Sequence, residues 1–194
     1  MHSDLPPHEA HARASPKDIR FALVTVSTSR FAAAASGTKV RDESGDVAEE
    51  AIRNAGYDVV ARELVPDDRD AILSTVLTLL GRDDVDVVVT IGGTGPSLRD
   101  VTVETLRGLF DKELEGFGQL FRMLSYKEVG AAAVLSNATA GLRGSKAVFC
   151  IPGSPAAVRL ALERIILPVV GHLLAVRRGL DKGVSLGSSV QTPA

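Results

Sequence analysis

The stretch Val85-Asp-Val-Val-Val-Thr-Ile-Gly-Gly-Thr-Gly-Pro96 decides the architecture of this chain. Its first seven residues form a nearly continuous β-branched run, the pattern of a strand covered on both faces, and they pass directly into glycines. Upstream, Phe21-Ala-Leu-Val-Thr-Val26 is a second run of the same kind, followed by a Ser-, Thr-, Ala- and Gly-rich loop over 27–45. Val47, Ala51 and Ala55, with Ala48 and Ile52 beside them, then mark a helix that Ser44 or Asp46 caps and Gly56 stops. The pattern over 57–65 predicts another strand, nearer a sheet edge. Pro66 ends it, and Asp67, Asp68 and Asp70 open a helix carrying Ile72, Val76 and Leu79. Strand–helix–strand–helix–strand by residue 91 requires right-handed crossovers and an open, mostly parallel sheet.

Beyond Pro96, the segment 103–126 reads as short helices separated by Gly breaks. Ala147-Val-Phe-Cys-Ile151 is a further buried strand ending in Pro152-Gly-Ser-Pro155, and a long helix runs from there to about Arg178. The expected fold is a single-domain α/β three-layer sandwich over 19–179. Flexible tails are expected at 1–18 and 180–194. His2, His8 and His11 suggest metal ligation, but their segment has no periodicity or anchoring bulk, which favours a solvated tail.

The chain has 194 residues, with 22 Lys and Arg against 24 Asp and Glu. A net charge of −2 argues against a broad nucleic-acid surface but leaves room for a local phosphate site. Aromatic residues at 4%, with no Trp, disfavour base-stacking platforms. The single cysteine, Cys150, excludes an intrachain disulfide framework and fits a cytoplasmic protein. No secretory signal pattern opens the chain. The apolar run over 165–176 is too short for a membrane span of about 20 residues and reads as a buried helix or an oligomer face. Cys150 reads as a packing residue and His172 as a core or interface residue, and no Ser/His/Asp triad can be assembled.

Ligands of open parallel sheets sit beyond the carboxyl ends of the strands. Three loops there have unusual compositions: Ser27-Thr-Ser-Arg30, Gly92-Gly-Thr-Gly95 and Pro152-Gly-Ser-Pro155. Glycines let backbone approach a ligand, and successive N–H groups form anion-binding nests. Hydroxyls of Ser27, Ser29, Thr94 and Ser154 add hydrogen-bonding groups, and Arg30 and Arg99 add positive charge. The set suits a phosphate-bearing ligand, although each loop alone could be only a tight turn. Neither a P-loop nor a Gly-x-Gly-x-x-Gly motif is present. Asp67 and Asp100 lie close to the same edge. Two carboxylates beside a phosphate cradle suit Mg²⁺, while helix capping would explain either residue singly.

Thr25-Val-Ser-Thr-Ser-Arg30, Asp42-Glu-Ser-Gly45, Val65-Pro-Asp67, Thr90-Ile-Gly-Gly-Thr-Gly-Pro96 and Arg99-Asp-Val-Thr102 together resemble the MoaB/Mog family of molybdenum-cofactor biosynthesis. Gly116-Phe-Gly118, Leu120-Phe-Arg-Met-Leu-Ser-Tyr126 and Ile151-Pro-Gly-Ser-Pro155 extend the match, and the segment ending at Tyr126 resembles the MoaB branch more. The resemblance implies a molybdopterin-binding fold, trimeric or hexameric, that handles molybdopterin and Mg-ATP, and active relatives adenylylate molybdopterin. It places the essential aspartates, catalytic and metal-holding, on Asp67 and Asp100. Nucleotide and pterin contacts fall on Thr25, Ser27, Gly92, Gly93, Thr94, Gly95, Ser125, Ser136, Pro152, Gly153 and Ser154. Other cofactor-biosynthesis proteins become candidate partners, and nucleic acid and membrane are not expected. Two positions depart from the family: Thr28 stands where many relatives carry Asp, and Asn137 where many carry Arg. A non-catalytic oligomeric molybdopterin carrier is the alternative reading, and a phosphohydrolase acting on another nucleotide is a third.

Overall fold

The structure, a computed structural model, describes residues 18–180. The expected tails, with His2, His8 and His11, lie outside the described residues except for Asp18 and Leu180. Six strands form one sheet in the order β2-β1-β3-β6-β5-β4: β1 (Arg20–Val26), β2 (Asp58–Val65), β3 (Val87–Ile91), β4 (Lys112–Glu113), β5 (Thr139–Arg143) and β6 (Lys146–Ile151). The first three strands and β6 pair in parallel, while β4 and β5 are antiparallel additions. As the sequence suggests, β2 is an edge strand.

Alternation along the central strands sorts their side chains into two cores. Phe21, Leu23, Val87, Val89, Phe149 and Ile151 face one helical layer, and Ala22, Val24, Val88, Val148 and Cys150 face the other. The first layer holds α2 (Glu43–Asn54), α5 (Glu115–Val129), α6 (Pro155–Ala161) and α7 (Leu167–Arg177), with α6 and α7 joined by a π-helical turn at Leu162–Ile166. The second holds α3 (Arg69–Leu80) and α4 (Thr102–Arg107). Both faces of the sheet are covered, which is why its central strands read as unbroken apolar runs.

Four local expectations are corrected. The segment after β1 is not all loop, since α1 spans Thr28–Ala35 with Ser27 as its cap; it buries no side chain, so it carries no apolar stripe to read. The cap of α2 is Asp42, accepting from Gly45 N at 3.1 Å, rather than Ser44 or Asp46. Gly116 and Gly118 do not break the middle section, because α5 runs through both. A Cβ on Gly118 would collide with the Ala138 carbonyl, so the glycine is there for close approach. The last helix is continuous only through the π turn, which precedes Pro168 and accommodates a ring that would clash with the preceding turn of a regular helix.

Candidate functional site

Strand order reverses direction at β1, whose neighbours are β2 on one side and β3 on the other. The crevice of a doubly wound sheet opens at such a point, beyond the strands' carboxyl ends. Here it opens between Ser27, following β1, and Gly92, following β3. Gly92 has φ +109°, and a Cβ on it would sit 2.5 Å from the Val26 carbonyl oxygen. Gly93 has φ +65°, and a Cβ there would strike Thr102 Oγ1 and lie 3.3 Å from Asp67 Oδ1. On Gly95 a Cβ would lie 2.7 Å from Asp100 Oδ2. The turn after β6 closes on the same loop, since a Cβ on Gly153 would lie 3.3 Å from Gly92 Cα. The three loops therefore meet at one rim, and the glycine loop carries one aspartate at each end.

Neither aspartate caps the helix that follows it. Asp68 caps α3, accepting from Ala71 N at 2.9 Å, and α4 begins after Val101 with no side-chain cap. Asp67 instead reaches across the crevice to the start of α1. Its Oδ2 accepts from Thr28 N at 2.8 Å and Thr28 Oγ1 at 3.0 Å, while its own N–H donates to Thr28 Oγ1. Asp100 folds back on its loop, and its Oδ2 accepts from Ser97 N at 3.0 Å. Among the described residues neither aspartate has a salt bridge, and each keeps Oδ1 free of a hydrogen-bond donor. The two free carboxylate oxygens, one near Gly93 and one near Gly95, are hard donors of the kind Mg²⁺ takes alongside waters and substrate phosphates.

The remaining sequence-derived residues divide into rim and support. Ser27 and Ser154 stand at the rim as helix caps, accepting from Arg30 N at 3.4 Å and Ala157 N at 3.3 Å. Pro152 and Gly153 form the turn after β6, beside Gly92. Thr25 is buried, and its hydroxyl donates to Asp42 Oδ2 at 2.6 Å. Thr94 is also buried, with its carbonyl accepting from Asn137 N at 3.1 Å. Ser136 Oγ accepts from Ala138 N at 3.4 Å, just ahead of β5. Ser125 is buried within α5, and among the described residues its side chain makes no hydrogen bond to the glycine loop. Arg30 lies on α1, and Arg99 N donates to Ser97 Oγ at 3.2 Å.

Both family departures acquire local roles. Thr28 forms the closed ring of hydrogen bonds with Asp67. Asn137 holds the glycine loop through its backbone N–H and through Nδ2, which donates to Gly95 O at 3.5 Å. The 42–45 segment is a clamp. Asp42 caps α2, pairs with Arg62 at 3.1 Å and accepts from Thr25, while Ser44 donates to Gly153 O at 2.6 Å. Asp42, Asp46 and Glu49 surround the Arg62 guanidinium and raise its pKa against the lowering effect of burial.

Sequence reasoning missed Thr102 and a polar cleft. The cleft, of about 330 Å³, opens beside Asn137 and is lined by Glu104, Arg107, Glu113 and Arg122 among others. Arg107 and Thr139 both donate to Glu113 Oε1, which ties α4, β4 and β5 together there. Its residues come from four separate elements with no shared motif, so only the topology assembles them. Thr102 is fully buried, and its Oγ1 has no hydrogen-bond partner among the described residues. Cys150 is fully buried, and burial pushes its thiol up to about 12, consistent with packing.

Comparison with known proteins agrees with this fold. Residues 22–172 match the family described as "Probable molybdopterin binding domain". The chain is 46% identical over 164 residues to a Bacillus cereus protein named molybdenum cofactor biosynthesis protein B, covering 84% of this chain and 93% of that one. It is 41% identical over 158 residues to a Methanocaldococcus jannaschii protein named probable molybdopterin adenylyltransferase, covering 81% and 93%. The crystal structure of the tungsten cofactor synthesizing protein MoaB from Pyrococcus furiosus superposes with a TM-score of 0.74 at 41% identity, covering 84% of this chain and 99% of that one.

Proposed function

The chain belongs to the molybdopterin-binding domain family of molybdenum-cofactor biosynthesis, and from that premise we propose that it adenylylates molybdopterin in an Mg-ATP-dependent reaction. The observation that carries this reading is the glycine loop with Asp67 at one end and Asp100 at the other, each keeping a carboxylate oxygen free. In the reaction an oxygen of the molybdopterin terminal phosphate attacks the α-phosphorus of ATP. A new P–O bond forms, the bond between the α-phosphorus and its bridging oxygen to the β-phosphate breaks, and pyrophosphate leaves. Such a transfer asks the protein chiefly for alignment and charge neutralisation.

Asp67 and Asp100 are the residues that would hold Mg²⁺. An ion held there would supply positive charge to polarise the α-phosphate and stabilise the leaving group. Backbone amides of the Gly92-Gly-Thr-Gly95 loop, at positive φ for Gly92 and Gly93, are the protein's means of holding phosphate or pterin oxygens. Thr28 fixes the orientation of Asp67, and Asn137 and Ser44 hold the two flanking turns in register. The adenylyltransferase name of the Methanocaldococcus relative supports ATP as co-substrate.

Self-association belongs to the same reading. Exposed Leu120, Val169 and Val176 line an apolar groove of about 410 Å³ on α5 and α7, with Met123 exposed nearby, and a second copy of this chain would cover it. A cytoplasmic setting is in keeping with a lone buried cysteine. No described helix is long and apolar enough to cross a membrane.

Incubating purified protein with molybdopterin and Mg-ATP, then separating the products, tests the proposal. Adenylylated molybdopterin and pyrophosphate in equal amounts are expected. Pterin binding without product establishes the carrier reading instead, and ATP consumption without pterin points to a phosphohydrolase.

A further inference from the structure

Thr102 opens α4, where its N–H donates to Gly93 O at 3.0 Å. Its side chain is fully buried, and Oγ1 is the buried side-chain polar atom left without a partner among the described residues. A buried hydroxyl with no partner costs free energy, so its persistence calls for a reason. The atom occupies the space that a Cβ on Gly93 would fill, and Asp67 Oδ1 lies 3.3 Å from that same point. Asp67 uses Oδ2 for Thr28, which leaves Oδ1 as the unused acceptor on the other side of Gly93. An unpaired donor and an unused acceptor thus both lie within 3.3 Å of the space left by the missing Gly93 side chain.

We propose that Thr102 is a positioning residue for Asp67, its hydroxyl donating to Asp67 Oδ1 when the metal–nucleotide binds. The inference rests on the adenylylation reading and adds to it the group that orients one of the two metal-holding carboxylates. Carboxylates that ligate metals are themselves held by outer hydrogen bonds, and loss of such a partner weakens metal binding by about 10- to 100-fold. In the free protein the unpaired hydroxyl costs stability rather than adding to it. Loading relieves that condition, so the bond forms only in the bound state. Gly93 is part of the device, since any side chain there would separate Thr102 from Asp67.

Titration calorimetry of the full chain with Mg-ATP, and with ATP in the presence of a chelator, tests this in wild type, Thr102→Val and Thr102→Ser. For Thr102→Val the expected result is Mg-ATP affinity lowered about tenfold or more, with metal-free ATP binding unchanged. Its melting temperature without ligand is expected to equal or exceed that of wild type, because an unpaired hydroxyl has been removed. Thr102→Ser, which keeps the donor, is expected to bind Mg-ATP within about threefold of wild type. Mg-ATP binding by Thr102→Val equal to wild type overturns the proposal alone. So does a variant that loses thermal stability and binds both forms of ATP equally poorly, which marks a structural role. Failure of the wild type itself to bind Mg-ATP overturns the adenylylation reading, and this inference with it.

Discussion

At the amino ends of the parallel strands, Asp86 lies between two arginines. It accepts from Arg178 at 2.6 Å and from Arg20 Nε at 3.3 Å, and it also receives the Arg20 backbone N–H at 2.9 Å. Asp111 on the same side pairs with Arg143 and Arg177 and accepts from Gly144 N at 2.7 Å. At the carboxyl ends, Asp67 and Asp100 meet only amides and a hydroxyl, and among the described residues no Arg or Lys pairs with either. One sheet thus has a rim where Asp86 and Asp111 are neutralised by the chain's own arginines and a rim where Asp67 and Asp100 have no such partner among the described residues. The first kind of arrangement holds a fold together. The second leaves free carboxylate oxygens for a ligand, and the glycines that expose them carry a conformational cost.

The largest expected effect separates the rims by activity. Asp100→Asn is expected to lower the adenylylation rate by about 10²- to 10³-fold, the scale seen when a charge-stabilising group is removed from a reacting centre. Pterin binding should stay measurable and the melting temperature near that of wild type, because no ion pair is lost. Wild-type turnover by this variant, followed by product chromatography, removes Asp100 from the mechanism.

Asp86→Ala makes the converse test. It leaves two arginines without their carboxylate, at an expected cost of about 2 to 3 kcal/mol in urea denaturation. Mg-ATP affinity of the folded fraction should be unchanged, and a loss of affinity would blur the distinction between rims. The pH response follows from the same contacts. Burial pushes the Asp86 carboxyl up, but the Arg20 amide and the Arg178 and Arg20 guanidinium groups outweigh it and hold the carboxyl below its ordinary value. Hydrogen bonding from Gly144 N, reinforced by Arg143 and Arg177, likewise holds Asp111 down. Stability from a lowered carboxyl is complete above its unfolded value of about 3.9 and disappears as the pH falls through the folded value. Acid unfolding curves should therefore steepen below about pH 4 in wild type and flatten in Asp86→Ala.

Gly93→Ala should cost about 1 to 3 kcal/mol, since φ is +65° there and the new methyl meets Thr102 Oγ1. It should also abolish Mg-ATP binding measured by calorimetry. Smallest of all, Asn137→Ala removes a long bond to Gly95 O and is expected to cost about 0.5 kcal/mol with a few-fold loss of nucleotide affinity.

What the sequence made legible follows from the same division. Central strands buried on both faces left unbroken apolar runs at β1, β3 and β6, and turn chemistry marked their carboxyl ends, so the candidate rim could be proposed before any coordinates. α1 was not legible because it buries nothing, β4 because it spans only Lys112–Glu113, and β5 because Gly141 interrupts its apolar pattern. Asp67 and Asp100 were found through their setting among glycines and the motifs that carry them. Their contacts, across the crevice to Thr28 and back to Ser97, were not visible in a reading that offered metal ligation or helix caps. Thr102 sat inside a recognised motif unremarked, because a hydroxyl without a partner is a property of packing. The paired rim was equally silent, since Arg20, Asp86 and Arg178 are brought together by topology alone.

Amide NMR spectra of the full chain, recorded as Mn²⁺ is titrated in the presence of ATP, compare the two rims within one sample. The account predicts paramagnetic broadening centred on Thr28, Asp67, the Gly92-Gly-Thr-Gly95 loop and Asp100, with Asp86, Asp111 and Gly144 left sharp. Broadening at Asp86 or Asp111, or equal broadening at both ends of the sheet, would contradict it.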